Sequence, residues 1–504
     1  MVCASPAALG DASVSTAGAP QSGQHGAWTV YHGDLGGTGV ALGVRSVDTA
    51  HRAWTSPRLD GHIYGEPLVL GTRVYVATEN NTVYALSAVT GSVQWSAHLG
   101  KPVPASSLQC GNITPSVGIT GTPVIDAARR EIFVVADVLR RTGPAHILFG
   151  LNTTSGRHEM SLRVDPPRQD GAAILQRTAL TLTAGQVVFG FGGNFGDCGT
   201  YRGRLVAVPE RGGKPRIFTI DAAPGESKGA IWMGGAAPAV DGHGNLWVST
   251  GNGSVRTSGH AYDHSDGVLE FSPSLRLLQF FAPASWPQDN ASDKDLAAEP
   301  VLFSDGQVVG AGKSGRVFLL DGARLGGIGG QQAMIRSACN GDVDGGSAVA
   351  GMTVYLPCTG GVAAVRVTRS PPRLRLLWKT GTGGGPPVLA ARLVWTIGHD
   401  GTLYGLAPAT GKIRQQARVG VPANHFPTPG FGAGLMLVPG ASYVIAFAAP
   451  GAGGRFSASA THGHSSKSAG ELSGPAITGV AALGLAAVAG ASWLIWRRRT
   501  GRTR

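Results

Sequence analysis

Gly65-Glu-Pro-Leu-Val-Leu-Gly-Thr-Arg-Val-Tyr-Val-Ala-Thr-Glu-Asn-Asn-Thr-Val-Tyr-Ala-Leu-Ser-Ala-Val-Thr90-Gly91-Ser-Val-Gln-Trp95 is the stretch that decides the fold. Its apolar runs are short, rich in β-branched and aromatic residues, and bounded by Gly or Asn. That pattern marks strands joined by tight turns. The stretch reads as one four-stranded antiparallel meander of about 40 residues. Such a sheet cannot bury both of its faces alone, so it needs neighbours of the same kind.

The neighbours are present along the chain. Thr402-Leu403-Tyr404-Gly405-Leu406 repeats Thr82-Val83-Tyr84-Ala85-Leu86, and Thr410-Gly411 follows it as Thr90-Gly91 follows the first copy. Arg316 to Leu320 is a third copy of that strand. The opening of the unit recurs at Pro123, Pro238, Glu299-Pro300 and Pro386-Pro387, and more weakly near Thr178, Ser347 and Pro427. Eight units fit between residues 60 and 448. Four strands per unit at this period predict an all-β fold, an eight-bladed β-propeller of four-stranded antiparallel blades.

Composition agrees with a turn-dense β chain. Gly supplies 78 of 504 residues, and charged residues make up 14%, well under the usual share of about a quarter. The net charge is +12, but five of the 42 basic residues follow residue 496. No dense Lys/Arg stripe with interleaved aromatics exists, so nucleic acid is not an expected partner.

The Tyr/Phe-x-Leu strand, the Thr-Gly turn and the following Trp resemble the tryptophan-docking repeat of quinoprotein alcohol dehydrogenase-like, PQQ-binding-like propellers. Trp28-Thr-Val-Tyr31-His32-Gly-Asp and the run from Gln109 to Asp126 look like further parts of that family. The resemblance covers residues 28 to 448. It implies eight blades. It also implies that Trp54, Trp95 and Trp378 dock between blades, and that Trp28 to Tyr31 closes the ring by pairing with the last blade near Leu435 to Val438.

For function, the resemblance singles out Asn245 to Gly253, which implies a calcium-ligating role for Asn252. It also implies cofactor binding by Asn252 and Asp293, calcium at Asn252 and Asp295, and a catalytic proton acceptor at Asp295. Yet the His-Asp-x-Trp-Asp setting of that aspartate pair is absent from the sequence, and no two cysteines are adjacent. These missing parts lead to an expectation of no alcohol dehydrogenase activity. Lys313-Ser314-Gly315 reads as a hairpin turn, because a strand and not a helix follows it. Asn340 to Gly345 has the alternating oxygens of a calcium loop but no acidic twelfth position, and reads as a turn. The Gly193 to Gly203 loop mixes a carboxylate, an Arg and an aromatic, as binding loops do.

Four of the five cysteines lie inside the repeats. The expected pairs are Cys110 with Cys198 and Cys339 with Cys358, which places the propeller in an oxidising compartment. Residues 1–24 read as disordered or as a signal-peptide remnant, 25–448 as the propeller, and 449–475 as a Gly/Ser/Ala-rich tether. Residues 476–496 carry no charge and are long enough to span a bilayer. The basic tail at 497–504 would stay cytoplasmic, putting the propeller outside the cell.

The favoured sequence reading is therefore a membrane-anchored, extracytoplasmic binding or scaffold module that needs no cofactor and meets an unknown protein or ligand. One alternative is a membrane-bound alcohol dehydrogenase using pyrroloquinoline quinone (PQQ) and calcium. The other is binding of a wall glycan or small ligand in the axial channel. Deletion of residues 476–504 is expected to move the exported protein from the membrane to the soluble fraction; retention in the membrane would show that the anchor lies elsewhere.

Overall fold

The structure is a computed structural model describing residues 26–424 and 426–451. The expected disordered start at 1–24, most of the tether, the span at 476–496 and the basic tail lie outside the described residues. Among the described residues no helix is long and apolar enough to cross a membrane.

Eight antiparallel four-stranded blades follow one another along the chain. Blade 1 comprises Leu68–Leu70, Arg73–Ala77, Thr82–Ser87 and Val93–His98. The first strands of blades 2 to 7 are Val124–Asp126, Thr181–Thr183, Ala239–Val240, Val301–Leu302, Ala348–Ala350 and Val388–Ala390. The two middle strands of a blade are buried nearly throughout, because a neighbouring blade covers each face. The fourth strand alternates. Arg373–Lys379 and Ile413–Arg418 expose every second residue, as a strand with one wet face must.

The tryptophans tie one blade to the next. The Trp54 indole N–H donates to the Ala88 carbonyl at 2.9 Å, that of Trp95 to Thr153 at 3.1 Å, and that of Trp378 to Pro408 at 2.9 Å. Each ring lies on the turn glycine of the following blade, at Gly91, Gly156 and Gly411. All three glycines have φ near +70° and no room for a Cβ, so the turn conformation and the indole both require glycine.

Ring closure differs from the sequence expectation. The strand that completes blade 8 is Arg52–Thr55, which pairs with Tyr443–Ala448 and not with Leu435 to Val438. The reason is patterning. Arg52–Thr55 is amphipathic and ends in a docking tryptophan, so it suits an outer position. Trp28, Val30, Tyr31 and His32 are all buried, and such a segment belongs inside.

That segment runs along the propeller axis. Trp28 bridges Val69 of blade 1. The carbonyls of Thr29, Leu35, Thr38 and Gly39 accept N–H bonds from Ile125, Val240, Val349 and Leu389 at 2.7–2.9 Å. These partners sit on the first strands of blades 2, 4, 6 and 7. Strands far apart in sequence converge on a dozen residues, so the first strands line the axis and the chain itself occupies it. The axial channel invoked for a glycan is thus filled at this level.

Both cysteine pairs form disulfides, with Cα separations of 5.9 Å for Cys110–Cys198 and 5.4 Å for Cys339–Cys358. Cys110–Cys198 joins the loops before blades 2 and within blade 3. Cys339–Cys358 ties the approach to blade 6 to its second strand.

Because Trp54 is both a ring-closing residue and a dock, Trp54→Ala should destabilise the propeller by about 3 kcal/mol. Urea unfolding followed by circular dichroism measures this, and a change below about 1 kcal/mol would show that closure does not depend on the indole.

Candidate functional site

Among the described residues, a group of chemically equipped side chains gathers around the loops that enter blades 4, 5 and 6. It begins at the turn Trp232-Met-Gly-Gly235. Met233, Gly234 and Gly235 all have positive φ, at 46°, 56° and 88°, which two glycines make affordable. The turn leaves the Trp232 indole half-buried, with its N–H donating to the Gly193 carbonyl at 3.1 Å.

Asp295 is fully buried at the centre of the group. Its Oδ1 accepts the Asn252 backbone N–H at 2.8 Å. Asn252 adopts φ 53°, a left-handed conformation that asparagine tolerates, and this turns its N–H toward the carboxylate. The neighbouring Gly251 lets Asp295 and Trp232 approach, since a Cβ there would sit 2.7 Å from Asp295 and 3.2 Å from the indole. Lys313 Nζ lies 2.8 Å from Asp295 Oδ2, 2.6 Å from Asp293 Oδ1, and 5.5 Å from the centre of the Trp232 ring. Asp293 is 72% exposed and Asp295 not at all, so the ammonium links the surface to the interior.

Electrostatics follow from burial. Desolvation pushes the Asp295 carboxyl up, while Lys313 and the Asn252 N–H pull it back. Burial works against the Lys313 charge, but Asp295 and Asp293 more than offset it and hold the ammonium firmly protonated. Asp266 is raised well above the carboxylate range by burial, with Asp295 and Asp289 adding to the effect. Asp344 is pushed up to about 7 by desolvation, with Lys313 opposing. The Gly193 to Gly203 loop closes one side. Tyr201 donates to Asp197 and accepts from Asn252 Nδ2 at 3.1 Å. Lys228 reaches from beneath to the carbonyls of Asp197 and Gly199.

Of the residues singled out from the sequence, Asn252, Asp293 and Asp295 come together here. Trp54, Trp95 and Trp378 are at blade junctions. The aspartate pair has no tryptophan beside it in sequence, yet Trp232 stands beside it in space. Trp232, Lys313, Tyr201 and Asp344 were not read as one site. Lys313 does sit in a hairpin turn, between Gln307–Ala311 and Val317–Asp321, but its side chain points to Asp295. The Asn340 loop spends Asn340 Oδ1 on the Lys379 ammonium at 2.6 Å, as a turn residue does.

The donors fit a flat quinone better than a divalent ion. An indole face, a buried carboxylate and an ammonium are in place for the quinone. For calcium, the central carboxylate already carries an ammonium, and among the described residues no three His, Cys, Asp or Glu side chains converge as a metal set.

The chain resembles known proteins in part of its sequence and in its fold. Residues 42–268 match the family model described as outer membrane protein assembly factor BamB. Polyvinylalcohol dehydrogenase of Sphingopyxis sp. (strain 113P3) is 24% identical over 333 residues, covering 57% of this chain and 46% of that protein. The chain thus spans about half the length of the curated relative it matches. The quinohemoprotein alcohol dehydrogenase of Comamonas testosteroni superposes with a TM-score of 0.63 at 15% identity, covering 84% of this chain and 81% of that one. A europium-containing methanol dehydrogenase superposes at 0.60 with 14% identity, covering 83% and 90%. At such identities the structural likeness is one of fold. The chain is thus an eight-bladed β-propeller whose residues 42–268 match a PQQ-like repeat model and whose fold is that of the quinoprotein dehydrogenases.

A raised carboxyl destabilises the fold once it ionises. Asp344, near 7 in the folded protein and near 3.9 when unfolded, contributes stability in full below about pH 4, and that contribution is lost as pH rises through about 7. Asp344→Asn should therefore flatten the fall in urea midpoint between about pH 4.5 and 8; an unchanged fall would place the titration elsewhere.

Proposed function

We propose that the axial group is the active site of a quinone-dependent dehydrogenase that oxidises an alcohol, with PQQ as the cofactor. The observation that carries this reading is the buried Asp295 carboxylate, held by the Asn252 N–H and Lys313 beside the indole of Trp232. It departs from the expectation of inactivity, which rested on the missing His and Trp setting of Asp293 and Asp295 and on the absence of two adjacent cysteines. The tryptophan and the cation arrive from other segments. The name of the polyvinylalcohol-oxidising relative supports the same class of chemistry.

Asp295 acts as the general base. Its carboxylate takes the hydroxyl proton of the alcohol while the carbon gives up a hydride, so the product is a carbonyl compound. A quinone held here would supply the hydride acceptor, which is chemistry no described side chain provides. Burial raises Asp295 toward the working pH and makes it a better proton acceptor, and Lys313 keeps it ionised. Trp232 offers a flat face for a ring, and Lys313 supplies positive charge where negative charge develops. Asn252 orients Asp295 and is itself steadied by Tyr201.

The scaffold reading keeps one support, the match to a family described as an assembly factor. On either reading we place the propeller outside the cell on a span at 476–496, from the sequence. The test is reconstitution with PQQ, with and without calcium, followed by dye reduction with short alcohols and a polyol. Turnover is expected in the wild type and should fall by about 10²–10⁴-fold in Asp295→Asn. Absence of both turnover and quinone binding in the wild type would favour the scaffold.

A further inference from the structure

Charge is divided unevenly along this chain. Residues 345–451, which supply blades 6, 7 and 8 apart from the closing strand, carry nine lysines and arginines and one carboxylate, Asp400. The 344 residues before them carry 26 basic and 28 acidic residues. Five of the nine cations sit on the outer edge of the ring. The fourth strand of blade 6, Arg373–Lys379, exposes Arg373, Arg375 and Lys379. That of blade 7, Ile413–Arg418, exposes Arg414 and Arg418.

Other outer edges are built differently. Val93–His98 of blade 1 and Leu277–Ala282 of blade 4 hold no lysine, arginine or carboxylate. In blade 2, Glu159 pairs with Arg157 at 3.0 Å and Arg163 with Asp165 at 2.5 Å. On blades 6 and 7, the side chains of Arg373, Arg375 and Arg414 have no partner among the described residues. Arg375 even stands directly opposite Arg366 on the neighbouring strand. Like charges in that register repel and weaken a sheet, so stability does not account for them.

The basic edge is continuous although its members lie in separate blades. Trp378 ties blade 6 to Pro408 of blade 7, and the Arg52 guanidinium of the closing strand donates to the Arg418 carbonyl at 2.9 Å. Apolar side chains are exposed among the cations, Leu377 between Arg375 and Lys379, and Ile413 beside Arg414.

We propose that the outer edges of blades 6, 7 and 8 form a membrane-docking face that binds anionic phospholipid headgroups. The planar donor fork of arginine suits phosphate, and apolar side chains among cations suit the boundary between headgroups and acyl chains. The course of the chain favours a bilayer over an acidic protein. It leaves the described propeller at Gly451, just past Tyr443–Ala448, the strand that Arg52–Thr55 covers. The inference rests on the span at 476–496 placed above. The 27 residues of the 449–475 tether then have a root-mean-square reach of about 30 Å, which keeps blade 8 close to lipid.

The experiment reconstitutes the full chain in vesicles of phosphatidylcholine, alone or mixed with phosphatidylglycerol. Phenylglyoxal modification mapped by mass spectrometry then reads which guanidiniums are covered. Arg373, Arg375 and Arg414 should be protected in the anionic vesicles and not in the neutral ones. Molar salt should abolish the protection, because it screens charges beyond about 3 Å. Arg216, on the outer edge of blade 3, should react alike in both. The triple variant Arg373→Ser, Arg375→Ser and Arg414→Ser should lower the ratio of docked to undocked protein on the order of 100-fold, about fivefold per arginine, read as lost protection of Arg418. Its urea midpoint should be no lower than that of the wild type, because the repulsion between Arg366 and Arg375 has gone.

Equal modification in the two kinds of vesicle, or protection that survives molar salt, would overturn the proposal. Protection by added polyglutamate, with none from phosphatidylglycerol, would also overturn it, in favour of an acidic protein. Flotation separates this inference from the anchor on which it rests. A chain that floats with neutral vesicles through a molar salt wash is held by the span. A chain that floats only with anionic vesicles, and is stripped by the wash, would sink the anchor and leave the basic face standing.

Discussion

A four-stranded antiparallel blade has two apolar faces, and everything else in this molecule follows from covering both. The cover is the next blade, and an indole sets its placement. Trp54, Trp95 and Trp378 each lie on a glycine turn of the following blade and donate to a carbonyl there. One contact combines burial of a large ring, a satisfied N–H, and a turn only glycine can make. Repeated around a ring, it sets the angle between blades. With eight blades and closure by Arg52–Thr55, blade 8 is completed by a strand from the start of the chain, and that short strand is its outer edge.

Closure creates a second problem, because eight first strands face a common axis. The chain fills it with its own residues from Trp28 to Gly39. Two carboxyls at equivalent Glu-Pro positions, Glu66 in blade 1 and Glu299 in blade 5, sit against this segment on opposite blades. Glu66 accepts from the Trp28 indole and the His32 N–H, at 2.6 and 2.9 Å. Burial pushes Glu66 up to about 8. Burial also raises Glu299 well above its usual range, with Asp34 and Glu66 adding to it. The axis is therefore held by carboxyls that burial raises and by backbone bonds.

Those loops bring together residues that are far apart in the chain. Asp295 is steadied by Asn252 from blade 4, neutralised by Lys313 from a hairpin of blade 5, and faced by Trp232 from the turn before blade 4. Each is placed by a rigid strand end. A carboxylate can thus stay buried beside a flat aromatic face without drifting toward solvent, which is the preorganisation that general-base chemistry needs.

The strand repeats, the blade count and the tryptophan turns were legible in the sequence because each is a local pattern repeated at a fixed spacing, and the disulfide pairs followed from where that repeat put four cysteines. Asn252, Asp293 and Asp295 were legible through short motifs. Trp232 was not, because it lies more than sixty residues from Asp295. Lys313 was read as a turn residue, and the backbone is a turn; spacing carries no information on where a long side chain in a turn ends. The exchange of roles between Trp28–Tyr31 and Arg52–Thr55 has the same origin. The sequence assigned closure to Trp28–Tyr31 and left Arg52–Thr55 only a docking tryptophan, and packing alone decides which of them lines the axis and which completes the ring. The sequence by itself determined the repeating unit and its turns, because hydrophobic periodicity and glycine conformation act over a few residues. The tertiary structure alone decided the site, because burial and charge pairing depend on neighbours that the chain supplies from other blades.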